Sequence, residues 1–240
     1  MRLNSLGAGL YRRVVSTVYP PRCVLCGSPG LNDMDICEHC YHNLPWIETA
    51  CLQCAIPLAS HSGDRIKCGQ CLRKAPLFDR SVSLFSYAEQ AITLVHQLKF
   101  NEKLAYSRLL GSMLADAIDK NNIELPDCIL PVPLYNKRLR QRGFNQSLEL
   151  ARPCANRFNI PVDVHSVKRV RDTQSQTGLD KKQRKKNMRA AFEVVEPVSA
   201  QHVAVVDDVV TTTSTANELA RILKRAGIRR VDVWSIARAV

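Results

Sequence analysis

Toward the end of the 240-residue chain the apolar run Val203-Ala204-Val205-Val206 leads into Asp207-Asp208 and then into Thr211, Thr212, Thr213, Ser214 and Thr215. Two adjacent carboxylates can accept hydrogen bonds from a ribose diol. Five hydroxyls and several backbone N–H groups, placed just ahead of a helix, suit a phosphate. The all-apolar run reads as a buried parallel strand, and open α/β sheets place ligands at the carboxyl ends of such strands. A plainer reading of the same residues is a strand-to-helix connection in which Asp caps and Thr solvates a turn.

A second chemistry sits at the other end. Eight of the ten cysteines form four Cys-x-x-Cys pairs, Cys23/Cys26, Cys37/Cys40, Cys51/Cys54 and Cys68/Cys71, separated by ten, ten and thirteen residues. Two thiolates at this spacing reach one tetrahedral ion, and two pairs complete a four-thiolate zinc site. We infer two structural zinc ions, one on Cys23, Cys26, Cys37 and Cys40 and one on Cys51, Cys54, Cys68 and Cys71; spacing alone leaves a crossed pairing open. A dithiol redox switch is the competing chemistry for a lone pair and fits four copies poorly. Pro21–Ala75 holds too few large apolar residues to fold unaided. Metal is therefore expected to supply most of its folding free energy, on the order of 10 kcal/mol per site. With eight thiolates available, His39, His42 and His61 read as surface residues, and the isolated Cys128 and Cys154 as buried small side chains.

The formal net charge of +12 is concentrated. Lys168 to Arg189 holds nine Lys and Arg against Asp172 and Asp180, and Lys137 to Arg142 holds four with no acid. Such runs suit phosphate-rich partners, although a solvated basic loop has the same composition. Met1–Pro20 carries Leu and Val at helical spacing but is interrupted by Arg12-Arg13, so it reads as an amphipathic helix rather than a signal peptide or span. A cytoplasmic protein without stable membrane insertion is expected.

Positioning these groups falls to alternating β and α segments after Pro76. Strands are predicted at Ser81–Tyr87, Asp127–Leu130, Val162–Val167, Val203–Val206 and Val231–Ile236. Helices are predicted at Ala88–Phe100, Lys103–Lys120, Asn145–Phe158 and Ser214–Ala226, the last ended by Gly227. Pro131-Val132-Pro133 forces an extended turn after the second strand. The alternation implies a mostly parallel sheet covered by helices. Two domains are expected, 1–75 with the N-terminal helix and zinc ribbons and 76–240 with the sheet.

Residues Val205–Thr215, VVDDVVTTTST, resemble the phosphoribosyl pyrophosphate (PRPP) loop of type I phosphoribosyltransferases, usually written VVDDVVTTGST. Thr213 replaces a glycine that brings backbone close to the 5′-phosphate and takes torsions a β-branched residue resists. Further matches are Pro131-Val132-Pro133-Leu134 followed by Arg142-Gly143-Phe144-Asn145-Gln146, the TxxQxxLxxxxRxxN spacing of Thr173, Gln176, Leu179, Arg184 and Asn187, and His96-Gln97-Leu98-Lys99-Phe100. With the cysteine array, these resemble the ComF family and its GntX-like branch, from about Cys23 to Ala239. The resemblance implies a double zinc ribbon on an α/β fold of type I phosphoribosyltransferase kind, and a role in natural transformation or DNA utilisation. By position, Asp207 and Asp208 would face the ribose hydroxyls, and Thr211, Thr212, Thr213, Ser214 and Thr215 would surround the 5′-phosphate. Pro131, Val132, Pro133 and Arg142 would lie near the pyrophosphate, with Mg²⁺ accompanying PRPP.

Two functions follow. The first in rank is DNA handling, in which Lys137, Arg138, Arg140, Lys168, Arg169, Arg171, Lys181, Lys182, Arg184, Lys185 and Lys186 hold a single strand. Phe144, Phe158, Phe192 and Trp234 would serve as stacking platforms where exposed. The alternative is an active phosphoribosyltransferase, which transfers phosphoribose from PRPP to an acceptor the sequence does not identify. A zinc-ribbon adaptor for DNA-uptake or DNA-processing proteins is compatible with either.

Overall fold

The structure is a computed structural model that describes residues 20–59, 66–100, 104–172 and 190–239. The helix expected over Met1–Pro20, His61, and the basic residues Lys181, Lys182, Arg184, Lys185 and Lys186 lie outside the described residues.

The chain divides into two compact units, Met1–Leu44 and Pro45–Val240, whereas the domain division expected from the sequence follows residue 75. In the first unit, the loop after Cys23 closes through Cys23 N–H to the Ser28 carbonyl and Gly27 N–H to the Cys23 carbonyl, both at 2.8 Å. Gly27 supplies the positive φ of 80° that this turn requires. A single-turn helix, α1 (Glu38–His42), follows, and the Cys37 sulphur caps it by accepting from the Cys40 N–H.

The second unit holds α2 (Gly69–Arg73), β1 (Arg80–Ser86), α3 (Glu89–Phe100), α4 (Leu104–Lys120), β2 (Cys128–Pro131), α5 (Asn136–Arg142), α6 (Gln146–Phe158), β3 (Val167–Arg169), β4 (Phe192–Val194), β5 (His202–Val210), α7 (Ser214–Arg225) and β6 (Arg230–Arg238). Four strands form a parallel sheet in the order β1-β6-β5-β2, and β3 and β4 form a separate antiparallel ribbon. Buried Val203, Val205, Val231 and Val233 fill one side of the sheet against Leu219, Ala220 and Leu223 of α7. Cys51, Cys54 and Cys71 belong to this same buried cluster, so the second cysteine site packs into the α/β core.

Several expected elements change. β5 continues past Val206 to Val210, with Asp207 opposite Ser235 and Val209 opposite Ala237. The Asp pair therefore lies inside a strand, because pairing with the long β6 holds the backbone extended beyond the apolar run. The strand expected at Val162–Val167 is instead Val167–Arg169; Val162 makes only a bridge to Ile129. Its partner β4 and the short helices α1, α2 and α5 have no apolar period long enough to betray them. Arg138, Arg140 and Arg142, which follow the Pro131–Pro133 turn, sit on α5, which ends at Gly143 with φ 78°.

Helices α4 and α6 cross closely at Gly111. A Cβ there would lie 2.7 Å from the Leu150 carbonyl oxygen and 2.7 Å from Pro153 Cγ. Neither backbone nor a proline ring yields easily, so Gly111→Ala is expected to lower stability by about 1–3 kcal/mol. Urea unfolding checks this; an unchanged midpoint would mean the helices separate without cost.

Candidate functional site

The cysteines assemble as two groups, Cys23, Cys26, Cys37 and Cys40, and Cys51, Cys54, Cys68 and Cys71, with each group's sulphurs within 4.8 Å of one another. This removes the crossed pairing. A tetrahedral ion with Zn–S bonds of about 2.3 Å needs sulphurs about 3.8 Å apart. Cys26 and Cys37 approach to 3.6 Å, and Cys54 and Cys68 to 3.7 Å. The donor chemistry agrees. Burial opposes ionisation of Cys51, yet backbone N–H groups of Cys68, Cys54 and Gln53 outweigh it and bring the thiol down to about 7. Burial, together with the sulphurs of Cys54 and Cys68, pushes Cys71 up. Four thiolates this close need a cation, and both groups fit zinc. His39 and His42 are exposed and stand outside the groups.

Asp207 and Asp208 face α6 and α3. Asp207 Oδ1 accepts from the Asp208 N–H at 2.9 Å and from Ser147 Oγ at 3.4 Å. Asp208 Oδ1 accepts from the Val209 N–H at 2.7 Å, and its Oδ2 meets Lys99 Nζ at 3.0 Å and Gln146 Nε2 at 3.5 Å. Burial and the Asp208 charge push Asp207 up to about 7, against the opposing pull of Lys99 and Arg169. Asn145 caps α6 by accepting from the Ser147 N–H, and so aims Gln146 and Ser147 at the pair.

Beside the pair, Val132 and the loop Thr211 to Thr215 line a cleft at the N-terminus of the twelve-residue α7. Thr213 holds φ 58° and ψ 3°, in the left-handed region that favours glycine. Its hydroxyl accepts from Asn217 Nδ2 at 3.0 Å, and the Thr212 and Ser214 hydroxyls are 2.9 Å apart. The loop therefore carries the strain of one left-handed β-branched residue. Arg238 supports the loop from below. Its buried guanidinium donates to the carbonyls of Cys54 at 2.8 Å and Val210 at 3.0 Å, and also to those of Thr211 and Ala239.

The basic residues separate into two kinds. Arg142 bonds Gln146 Oε1 at 2.6 Å, Arg138 pairs with Asp172 at 3.3 Å, and Arg169 stacks over Phe192 at 5.4 Å. Burial holds Arg142 and Arg169 below the ordinary guanidinium range, while the charges of Asp208 and Asp207 respectively act in the opposite direction. Lys137, Arg140, Lys168 and Arg171 are exposed. The Arg138–Asp172 pair joins α5 to the end of β3, so basic runs distant in sequence meet beside the acidic pair. Phe192 and Trp234 are buried core residues and offer no stacking platform; Phe144 and Phe158 are partly exposed. Lys99, Ser147 and Arg238 escape the sequence reading of the site. Lys99 stands in a motif to which that reading gives no role, and nothing local marks the other two.

Fold and sites together define a parallel α/β protein with a double zinc ribbon. The double zinc ribbon domain family matches residues 14–72. The chain is 39% identical over 226 residues to the DNA utilization protein YhgH of Escherichia coli K12 and equally to that of Shigella flexneri, covering 92% of this chain and 98% of either relative. It is 34% identical over 221 residues to competence protein F of Haemophilus influenzae, covering 85% of this chain and 96% of the relative. The chain belongs to this family of YhgH (GntX) and competence protein F. Among the described residues no helix is long and apolar enough to cross a membrane.

Elemental analysis of metal-replete protein is expected to find two zinc ions per chain, and one or none would overturn the assignment. Because Cys51 lies in the α/β core, Cys51→Ser should release one ion and destabilise the sheet unit as well, read as a lowered unfolding midpoint for Trp234 fluorescence.

A second expectation concerns Asp207. A carboxyl raised from its usual value to about 7 binds a proton more tightly when folded, so stability falls as pH climbs from about 4 to 7 and stays lowered above. Asp207→Asn should then raise the melting temperature at pH 8 and match wild type near pH 4. A melting temperature unchanged at pH 8 would show that the buried charge is fully compensated.

Proposed function

We propose that this protein acts in DNA uptake or utilisation, binding single-stranded DNA on the basic face and a phosphorylated ribose such as PRPP in the cleft. Family membership over nearly the full chain carries the DNA role, because its relatives are DNA utilization and competence proteins. The basic face of α5 and β3 supports it, since Lys137, Arg140, Lys168 and Arg171 are exposed there. Lys181, Lys182, Arg184, Lys185 and Lys186 would extend the same charge.

The ribose-phosphate reading rests on Asp207 and Asp208 beside a hydroxyl-rich helix N-terminus whose positive end favours an anion. Thr211, Thr212, Ser214 and Thr215 would take the phosphate, with Pro131, Val132, Pro133 and Arg142 toward a pyrophosphate. Phosphoribosyl transfer is the second reading, favoured by the left-handed turn at Thr213, a position where the resembled loop carries glycine. The described residues suggest no acceptor and no group to activate one. The acidic pair does not fit a free Mg²⁺ site, since Lys99 already holds Asp208, and no step is assigned to that ion.

Replacing Lys137, Arg140, Lys168 and Arg171 with Gln should weaken single-strand binding and flatten its salt dependence, by about 0.7 log units per log unit of salt for each phosphate that is no longer neutralised. Unchanged binding would leave these residues as solvated surface. PRPP calorimetry tests the cleft, and Asp207→Asn with Asp208→Asn should abolish its heat. From sequence, relief of strain of about 1–2 kcal/mol predicts a five- to thirtyfold tighter Thr213→Gly. The structure lowers that expectation, because a strain already present before ligand arrives cancels from binding. Thr213→Gly should bind within about threefold of wild type.

A further inference from the structure

Asp208 already has a cation. Lys99, the penultimate residue of α3, sets Nζ 3.0 Å from Asp208 Oδ2, and the two side chains are only 27% and 8% exposed. Gln146 approaches the same oxygen, and the Val209 N–H holds the other. On Asp207, Oδ1 is taken by the Asp208 N–H and Ser147, while Oδ2 makes no hydrogen bond among the described residues. Arg142 and Arg169 bring two further positive charges within electrostatic reach. A divalent ion bound by this pair would have to expel Lys99 and meet two guanidinium groups. It would also find one free carboxylate oxygen where Mg²⁺ prefers a near-octahedral shell.

We infer that Lys99 is the built-in counter-cation of the acidic pair, so that the cleft takes a ribose phosphate without a divalent ion on Asp207 or Asp208. Lys99 neutralises and orients Asp208, and the free Oδ2 of Asp207 is left to accept from a ribose hydroxyl. An ammonium group supplies one charge and up to three donors, enough to balance one carboxylate and still reach an incoming oxygen. Lys99 is thus a positioning residue. The ligand half of this inference rests on the sugar-phosphate reading of the cleft; the counter-cation half does not.

Two measurements on the full, zinc-loaded chain separate those halves. In the first, free Mn²⁺ is followed by electron paramagnetic resonance. Wild-type protein should show no Mn²⁺ binding that Asp207→Asn with Asp208→Asn removes. Lys99→Gln should gain Mn²⁺ binding that wild type lacks, because the ammonium group no longer occupies Asp208. Adding Asp208→Asn to Lys99→Gln should abolish the gain. In the second, ribose 5-phosphate binding is measured by calorimetry in metal-stripped buffer and again with millimolar Mg²⁺. Wild type and Lys99→Arg should bind alike in both. Lys99→Gln should bind about tenfold more weakly without the ion and recover with it. Wild-type Mn²⁺ binding that depends on the Asp pair, or no gain of Mn²⁺ binding in Lys99→Gln, would overturn the counter-cation role. Ribose 5-phosphate heats that are absent in every protein, with the Mn²⁺ pattern intact, would instead overturn the sugar-phosphate reading alone.

Discussion

At the end of β6 the Arg238 guanidinium is buried to 5% exposure and donates to four backbone carbonyls, those of Cys54, Val210, Thr211 and Ala239. A buried cation is costly unless its donors are satisfied, and carbonyls fixed by other structure are the means of satisfying it. One carbonyl belongs to a zinc knuckle and two to the end of the strand that opens the threonine loop. The knuckle therefore does more than staple a small module. Its backbone is one wall of the polar socket on which the loop is seated, and the cysteines themselves share the core of the sheet. Neither the loop nor the second zinc site can be shifted without exposing a charge that has nowhere else to go.

The same sheet separates two kinds of polar cluster. At the opposite ends of β5 and β6, Asp232 is 1% exposed; burial opposes its ionisation, but His202 and Arg230 outweigh this and hold its carboxyl low. That cluster is balanced and structural. At the cleft, Asp207 is pushed up instead, since burial and a second carboxylate exceed what Lys99 and Arg169 return. Such an imbalance, beside a cleft lined by hydroxyls, is what the proposed ligand reading draws on.

How much of this was legible follows from where each signal resides. The four cysteine pairs carry their chemistry in local spacing, so two four-thiolate sites were legible while their pairing was not, and the apolar run of β5 announced the strand beside the acids. The length of that strand was hidden, because it depends on β6 as a partner and not on the residues after Val206. Lys99 and Ser147 reach Asp208 and Asp207 from helices 109 and 60 positions away, a juxtaposition no window of sequence contains. The exposed and inward-turned arginines of α5 look identical as letters; the helix phase and the Asp172 contact distinguish them. Thr213 is the reverse case, a visible departure at which the backbone still takes a left-handed turn, as strain in a β-branched residue.

The two ligands proposed for this protein make opposite electrostatic demands. A ribose phosphate offers a diol to the carboxylates and a terminal phosphate to the α7 N-terminus, so its two ends match the two ends of the cleft. An internal nucleotide of DNA has no such diol, and its phosphodiesters would be repelled by a half-buried acidic pair. On the proposed reading, a strand therefore passes over α5 and β3, where charge is positive and exposed, and stays out of the cleft. The Arg138–Asp172 pair ties α5 to the segment that follows β3, so the two exposed basic stretches are held as one surface.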